Sequence, residues 1–391
     1  MKIDFKNEKL IPKLFLKILD KVSTRQKSWI VGGALRDIFF GKKIRDLDVV
    51  LEKGVFEISK KFEKTLGKFD YFENFRTSRF ELENGLSLGF STLRKESYEK
   101  NGNLPICDFD KVSLSDDLHR RDFTINSIAV SVKKNGDWIL EDCSKGFIDD
   151  LKKKNWRIFH KDSFIDDPTR IIRLARYRKS IEKSSLDPMT VEALKDERLK
   201  DVALKVSPDR WANEIKKGDF FDFEDELSEF QEYQSFKQIF NGDWVEPRFS
   251  REKNALWKVL SCCRGPDAPF TWARLGASKK LIKVLNPLGS NEWPEFNKNW
   301  NLLQMDNLMS SWDPFLISLA KQEIDKERKS LLDKYLNLRD SIEFPTGNDL
   351  KEIGLKGKEI GYFIKISRKA VFKEQSDPDR KSILDWIKNN V

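Results

Sequence analysis

Two aspartates separated by one residue are the side chains in this sequence best suited to catalysis. Asp46-Leu47-Asp48 opens an apolar run that continues to Leu51. Because side chains alternate along a β-strand, both carboxylates would project from one face and repel each other unless a cation neutralises them. Such oxygen ligands suit Mg²⁺, which takes water and substrate phosphates as further ligands. The spacing indicates a magnesium site, although the pair alone leaves open a solvated strand end.

The composition narrows the chemistry that the protein can perform. The 391 residues include only 2 histidines, His119 and His160. This scarcity argues against imidazole metal sites and Ser/His/Asp triads, so we expect catalysis by carboxylates and cations. The net charge is +9, the difference between 73 Lys and Arg and 64 Asp and Glu. An excess of cations favours a polyanionic partner such as nucleic acid, without deciding it.

The cysteines and the apolar runs indicate in which cellular compartment the protein is expected. The 4 cysteines show neither a CxxC pair nor a disulfide framework, which favours a reducing compartment, and we expect the cytoplasm. No run approaches the roughly 18 to 20 apolar residues that a bilayer span needs, so no membrane association is expected.

Short β-rich runs and glycine turns characterise the first part of the chain. They alternate with helical stretches, and this pattern predicts an α+β domain. The predicted strands are residues 28–31, 47–51, 79–82, 86–93, 125–132 and 138–140, and the predicted helices include residues 34–40 and 56–66. Glu83-Asn84-Gly85 would turn the first hairpin, and Lys134-Asn135-Gly136 the second.

From about Phe147 the pattern becomes helical, without an internal repeat or a long linker. A helix should start near Asp166 to Thr169, since Pro168 is tolerated in a first turn. Ser207 and Pro208 predict the N-cap and first residue of another helix.

Gly32-Gly33 lies between a predicted strand and a predicted helix. Backbone N–H groups there could face an anion, although such a pair is more often only a turn. The loop is not a Walker A motif, since no Gly-Lys-Ser/Thr follows at the right distance.

Taken in order along the chain, several motifs resemble those of one enzyme family. The chain is similar to class II nucleotidyltransferases, which comprise the tRNA CCA-adding enzymes and bacterial poly(A) polymerases of the polymerase-β superfamily. The residues that carry the resemblance are Gly32-Gly33 with Arg36-Asp37, Asp46-Leu47-Asp48, Arg120-Arg121-Asp122-Phe123-Thr124-Ile125-Asn126, Glu141-Asp142 with Asp149-Asp150, Asp166-Asp167-Pro168-Thr169-Arg170, Asp209-Arg210 with Glu214, and Gly347-Asn348-Asp349-Leu350.

The resemblance implies a domain order. Residues 1–146 would form a nucleotidyltransferase head with a mixed sheet and helices. Residues 147–217 would form an all-α neck for nucleotide selection, and residues 218–391 a helical body and tail for tRNA binding. No protein partner is implied.

The resemblance also implies a reaction: attack of an RNA 3′-hydroxyl on the α-phosphate of CTP or ATP, with release of pyrophosphate. Asp46 and Asp48 would be catalytic and hold two Mg²⁺ ions. The nucleotide would be contacted by Gly32, Gly33, Arg36, Arg121, Asp122, Asp167, Arg170, Arg173 and Arg176. In this reading Asp122 orients Arg121.

The segment that begins at Asp167 would select the nucleotide without a template. Asp167 and Arg170 are three residues apart, which would place an acceptor and a fork of donors on one helix face. Arg173 and Arg176 would add contacts, with salt bridges or phosphate contacts as the alternative. Arg210 and Glu214, four residues apart, would form a supporting pair.

One departure from the family pattern leaves the activity open. The family commonly has an acidic residue five positions before the position of Arg94, and this chain has Gly89. The main reading is addition of C and A, or of one of them, to the tRNA 3′ end. The alternatives are an enzyme adding only A or only CC, a poly(A) polymerase, and a catalytically weakened RNA-binding homologue.

Overall fold

The computed structural model of the chain describes residues 5–82, 85–99, 101–217, 231–240, 243–244, 255–289, 293 and 299–391. The chain divides into two compact units. The first comprises Met1–Asn241 and Arg274–Gly276, and the second comprises Gly242–Ala273 and Ala277–Val391. The predicted boundary between head and neck lies inside the first unit and stays a prediction. The predicted boundary at 217/218 borders residues 218–230, which lie outside the described residues.

The first unit contains the sheet that carries the two aspartates. Its strands are β1 Ser28–Val31, β2 Asp46–Leu51, β3 Asp70–Phe72, β4 Thr77–Glu81, β5 Ser87–Thr92, β6 Lys95–Ser97, β7 Ile106–Asp108, β8 Ala129–Val132, β9 Trp138–Leu140, β10 Asn155–Trp156 and β11 Ser185–Leu186. Seven strands form one mixed sheet in the order β3-β4-β5-β2-β1-β8-β9. Within it β2 and β5 run parallel, and the other neighbours are antiparallel.

The helices of the first unit flank this sheet and continue beyond it. They are α1 Lys13–Ser23, α2 Gly33–Phe39, α3 Val55–Leu66, α4 Leu114–His119, α5 Lys145–Lys153, α6 Ser163–Asp166, α7 Arg170–Lys179, α8 Pro188–Ala193, α9 Leu199–Ala203, α10 Pro208–Lys216 and α11 Gln231–Ile239.

The two faces of the sheet have different roles. On the back face α3 places Phe62 5.9 Å from Phe90, ring centre to ring centre, and Val49 and Phe90 are neighbours in the register. The opposite face, called the front face below, carries Asp46 and Asp48. Burial of apolar side chains on one side of a period-two strand thus leaves both carboxylates on the other.

Helix α4 closes part of the front face beside Asp48. Its Leu118 packs into a buried cluster with Val50 and Trp29. Ser113 caps α4 in a capping box with Asp116. Two orphan N–H groups are satisfied in this way, which stabilises so short a helix. The packing of Leu118 brings the polar residues that follow it to the edge of the front face.

From residue 243 onward the described chain is largely helical. Its elements are β12 Asp243–Trp244, α12 Ala255–Cys262, β13 Cys263–Arg264, α13 Ala268–Arg274, α14 Lys279–Leu285, α15 Leu302–Met309, α16 Pro314–Glu323, α17 Lys326–Ser341, α18 Gly347–Glu352, α19 Lys358–Phe372 and α20 Arg380–Lys388. One core of this unit buries Met305 and Met309 against Tyr335. Beside it Arg368 Nη2 donates to Asp306 Oδ1 over 2.6 Å.

The α+β head and the helical remainder confirm the predicted fold class. The first predicted hairpin is present as β4 and β5, although Glu83 and Asn84 of its turn lie outside the described residues. The second hairpin is also present, but β8 starts at Ala129 because Thr124–Asn126 forms a 3-10 turn. Helix α10 begins at Pro208 with Ser207 as N-cap, as predicted. Within the described part of the chain, every helix is too short or too polar to span a bilayer.

In the second unit, the carboxyl pKa of Asp349 is lowered by neighbouring hydrogen-bond donors. The Arg380 guanidinium donates to Asp349 over 2.6 Å, and with the Thr346 N–H and hydroxyl it holds the pKa of Asp349 at about 2. Because this pKa is depressed, the contact stabilises the fold above the unfolded pKa of about 3.9 and is lost as pH falls toward 2. Arg380→Gln is expected to raise the pKa of Asp349 toward its ordinary value, as measured by NMR titration of the carboxyl carbon. Lys351→Gln, an exposed cation on the same helix as Asp349, is the control and should leave that pKa near 2.

Candidate active site

A cleft of about 430 Å³ opens beside the front face of the sheet. Its walls combine the glycine turn, one of the two aspartates and the polar residues that follow α4 and α6. Of the residues predicted for the site, those on the wall are Gly32, Gly33, Asp48, Arg121, Asp122, Asp167, Arg170 and Arg173. Arg36, Asp46 and Arg176 are described residues that lie outside this lining.

The glycine turn after β1 forms one edge of the cleft. Gly32 has φ +81°, a value that L-residues rarely adopt. A Cβ on Gly32 would lie 3.6 Å from both Arg121 Nη1 and Asp48 Oδ2. Glycine is therefore needed here for its backbone conformation, and its lack of a side chain keeps the space between Asp48 and Arg121 open.

Asp46 and Asp48 share the front face of β2, as their spacing predicts. The Asp46 side chain is 69% exposed, and Asp48 is also exposed at the cleft. Protein atoms crowd Asp48 around the cleft, and the resulting loss of hydration raises the pKa of its carboxyl. Asp46 acts in the same direction, whereas Arg121 and Arg79 oppose it. This arrangement favours a bound cation, which would relieve the repulsion.

Arg36 does not line the cleft but contacts residues that do. Its side chain is only 6% exposed, donates to Asn126 Oδ1 over 2.8 Å and pairs with Asp37 over 2.7 Å. Since Asn126 lines the cleft, Arg36 holds a wall residue in place. The predicted contact with a triphosphate would require Arg36 to leave these partners.

Asp117 is the acidic partner of the arginine pair, and the prediction that Asp122 orients Arg121 is wrong. Arg121 Nη2 donates to Asp117 Oδ2 over 2.9 Å, and Arg120 Nη2 donates to Asp117 Oδ1 over 2.8 Å. The Asp117 side chain is fully buried. Burial tends to raise its pKa, but Arg121 and Arg120 outweigh this effect and hold the pKa below its usual range. Helical spacing places both arginines on the Asp117 side of the chain.

Asp122 pairs with a residue of α7 instead. Arg173 Nη2 and Nε donate to Asp122 Oδ2 over 2.7 and 2.9 Å. Asp122 Oδ1 accepts from the Phe123 N–H over 2.9 Å. Burial would raise the pKa of Asp122, but Arg173 and Arg170 lower it overall. Arg173, a wall residue, is thus oriented by two charge-assisted hydrogen bonds to one carboxylate oxygen.

Asp167 does not share a helix face with Arg170. It lies between α6 and α7 in an extended conformation with φ −140°, because α6 ends at Asp166 and α7 starts at Arg170. Its Oδ1 accepts from the Thr169 hydroxyl over 2.6 Å and pairs with Arg210 over 2.8 Å. Burial favours a higher pKa for Asp167, but Arg210 and Arg170 hold it below the usual range. Asp167 is therefore ionised at neutral pH.

Arg170 is buried, and its donors are largely committed. Its Nη1 donates to the Ser163 hydroxyl over 2.7 Å, and its Nη2 donates to the Arg120 carbonyl over 3.3 Å and the Tyr98 hydroxyl over 3.4 Å. Tyr98 belongs to the stretch between β6 and β7, so this contact connects that stretch to α7.

Arg210 and Glu214 are both described, but they do not form the predicted pair with each other. Each side chain has another partner. Glu214 Oε2 accepts from Arg176 Nη2 over 3.1 Å, and Arg210 pairs with Asp167. Arg210 also donates to the Gly102 carbonyl over 2.7 Å. Arg210 and Glu214 therefore support different parts of the cleft, and Arg176 acts as a partner of Glu214.

Comparison with known proteins adds to this geometry. A family model described as the poly A polymerase head domain matches residues 28–157. The CCA-adding enzyme of Lactobacillus gasseri is 30% identical over 301 residues, which cover 74% of this chain and 68% of that enzyme. The chain belongs to the class II tRNA nucleotidyltransferases.

Two further tRNA nucleotidyltransferases show how far the likeness extends. The A-adding enzyme of Aquifex aeolicus is 30% identical over 374 residues, covering 86% of this chain and 43% of that enzyme. The chain thus spans less than half the length of this relative. A solved CCA-adding enzyme in complex with ATP superposes with a TM-score of 0.71 and 19% identity, covering 100% of both chains, and supports the fold.

The nucleotidyltransferases of this family use divalent cations, and the donors at β2 fit such an ion. Asp46 and Asp48 offer hard carboxylate oxygens on one face. Among the described residues no group of three or more His, Cys, Asp and Glu side chains could hold a metal. Water and substrate phosphates would have to complete the coordination, as Mg²⁺ commonly requires.

Several cleft residues of this family member were missed by sequence reasoning. Tyr98 and Tyr177 of the lining were not predicted, nor was Asp117, which is buried behind it, and Arg210 was assigned another partner. The Ser113–Asp116 capping box, followed by an aspartate four residues before Arg121, was a readable signal for Asp117. No sequence signal connects Tyr98 with Arg170, because 72 residues separate them.

Proposed function

We propose that the chain adds nucleotides to the 3′ end of tRNA, using CTP, ATP or both and releasing pyrophosphate. The observation that carries this proposal is the cleft, where Asp48 faces a set of paired arginines and aspartates within a volume that suits one nucleotide. Carboxylates on one side serve phosphoryl transfer, and oriented donors and acceptors on the other serve base recognition.

The reaction forms one P–O bond and breaks another. The RNA 3′-hydroxyl loses its proton to water as its oxygen attacks the α-phosphorus, the bond between the α-phosphorus and the bridging oxygen breaks, and pyrophosphate leaves. Asp46 and Asp48 would hold Mg²⁺. When bound there, Mg²⁺ would polarise the α-phosphate and neutralise charge on the attacking and leaving oxygens. Arg121, fixed by Asp117, would donate to the triphosphate from the opposite wall.

Base selection would fall to the wall formed by α7 and α10. Asp167 supplies an ionised acceptor, and Arg210 and Arg173 supply oriented donors. An acceptor beside guanidinium donors can form complementary hydrogen bonds with the Watson–Crick edge of cytosine or adenine. Arg170, committed to Ser163 and the Arg120 carbonyl, would orient this wall from behind. Residues 218–391 would hold the tRNA, and the cytoplasm remains the proposed location.

Addition of A alone is a second candidate. It is favoured by the A-adding activity named for the Aquifex aeolicus relative. Both candidates use the same cleft and differ in which base its wall accepts and which tRNA end it receives.

Incubation of the purified protein with three tRNAs separates these possibilities. The substrates end without CCA, with CC, or with complete CCA, and each receives labelled CTP or ATP with and without Mg²⁺. We expect Mg²⁺-dependent incorporation of label into at least one of the first two tRNAs. The tRNA that already ends in CCA should incorporate no further nucleotide. Incorporation of ATP alone, and only after CC, selects the A-adding candidate. Absence of incorporation on every substrate would contradict the proposed function.

A further inference from the structure

Arg79 lies two strands away from Asp48, on the sheet face that carries the aspartate pair. The register across three neighbouring strands places Asp48 of β2 beside Gly89 of β5, and Gly89 beside Arg79 of β4. Directly paired residues project from the same face. Arg79 reaches across this row, and its Nη2 lies 3.2 Å from Asp46 Oδ1.

Gly89, between Asp48 and Arg79 in the register, leaves room for the Asp48 carboxylate. It lies in a regular strand and has no positive φ, so backbone freedom is not the reason for glycine here. A Cβ at this position would lie 2.6 Å from Asp48 Oδ1. The Asp48 carboxylate therefore occupies the space above Gly89, and a side chain there would displace it.

Two guanidinium groups lie near the aspartate pair. Arg79 contacts Asp46 directly, and Arg121 Nη1 and Asp48 Oδ2 both lie next to Gly32. The Arg79 side chain is 43% exposed and also donates through Nε to Glu81. A divalent cation that binds Asp46 is therefore repelled by the Arg79 guanidinium, which is already paired with that carboxylate.

We propose that Arg79 is a positioning residue that holds Asp46 in the metal-free protein and competes with a divalent cation for it. This inference rests on the proposed assignment of Asp46 and Asp48 as metal ligands. It follows that the free protein binds the cation weakly. A bound triphosphate strengthens that binding, because its oxygens ligate the cation and accept the hydrogen bonds of a displaced Arg79.

Direct binding of Mn²⁺ to the full chain, without nucleotide or tRNA, tests this competition. The signal of free Mn²⁺ in electron paramagnetic resonance gives the affinity of the protein and its variants. We expect Arg79→Gln to bind Mn²⁺ about tenfold more tightly than the unchanged protein at low salt, with the difference shrinking as ionic strength rises. Arg79→Lys keeps the charge and should restore weak binding. Arg25→Gln removes an exposed arginine of another segment and should match the unchanged protein.

The outcomes separate this inference from the assignment beneath it. Equal or weaker Mn²⁺ binding by Arg79→Gln, with circular dichroism unchanged, would overturn the role of Arg79 and leave the metal ligands in place. Mn²⁺ binding that Asp48→Asn does not reduce would overturn the ligand assignment and the inference together. Tighter binding by Arg79→Gln that is lost again in Arg79→Gln/Asp48→Asn would support both.

Discussion

Asp48→Ala is expected to reduce nucleotide incorporation by about a thousandfold or more, because it removes a ligand from the only carboxylate pair proposed to hold the cation. Binding of tRNA should change by less than about twofold, since its affinity depends mainly on phosphate contacts spread over a large surface. Single-turnover incorporation and filter binding of labelled tRNA measure the two effects. Asp48→Asn, which keeps the shape and removes the charge, should show the same loss.

The matched control is Asp70→Ala, which removes an exposed carboxylate from β3 at the edge of the same sheet. It should retain the incorporation rate. Asp48→Ala should also leave the fold at least as stable, because one of two mutually repelling carboxylates is removed. Unchanged turnover in Asp48→Ala would show that the chemistry occurs elsewhere. If Asp48→Ala lost its fold together with its activity, this variant would not distinguish a metal ligand from a residue needed for folding. Asp48→Asn, which keeps the shape of the side chain, would then make that distinction.

Asp117→Ala is expected to lower the free energy of unfolding of the first unit by about 3–5 kcal/mol. The Asp117 side chain is fully buried, and the Arg120 and Arg121 side chains are 12% and 15% exposed. Removing the shared acid leaves Arg121 without this partner and Arg120 with Glu96. Hydrogen exchange of the amides in β1, β2 and α4 during denaturant titration measures this unit separately from the second one.

Asp116→Ala is the neighbouring control for this change. Asp116 is the partly exposed acidic member of the capping box of α4, and its loss should cost less than about 1 kcal/mol. We also expect Asp117→Ala to weaken nucleotide binding, because Arg121 loses the contact that orients it toward the cleft. A cost for Asp117→Ala no larger than that for Asp116→Ala would contradict the assignment of Asp117 as the anchor of the arginine pair.

Local features of the site could be predicted because they depend on periodicity and backbone conformation. Alternation along β2 placed Asp46 and Asp48 on one face, and a glycine with positive φ was needed to turn from β1 into α2. Ser207 and Pro208 start α10 because the N-cap and first helical positions favour those residue types. In each case the residues concerned are neighbours in sequence.

Ion pairing could not be predicted in the same way. Asp122 is followed 51 residues later by its partner Arg173, and Asp167 pairs with Arg210 rather than Arg170. The sequence near the cleft contains many arginines and aspartates whose long side chains could reach several partners. Which ion pairs form depends on how α7 and α10 pack. That packing is determined by contacts between residues that are far apart in the sequence.

The sequence by itself determined the family, the carboxylate pair and the alternation that exposes both acids on one face. Tertiary structure alone decided that Asp117 anchors Arg121 and that Arg79 reaches Asp46. The physical reason is that strand and turn geometry follow from adjacent residues, whereas the distance between two charged groups follows from strand register and helix packing.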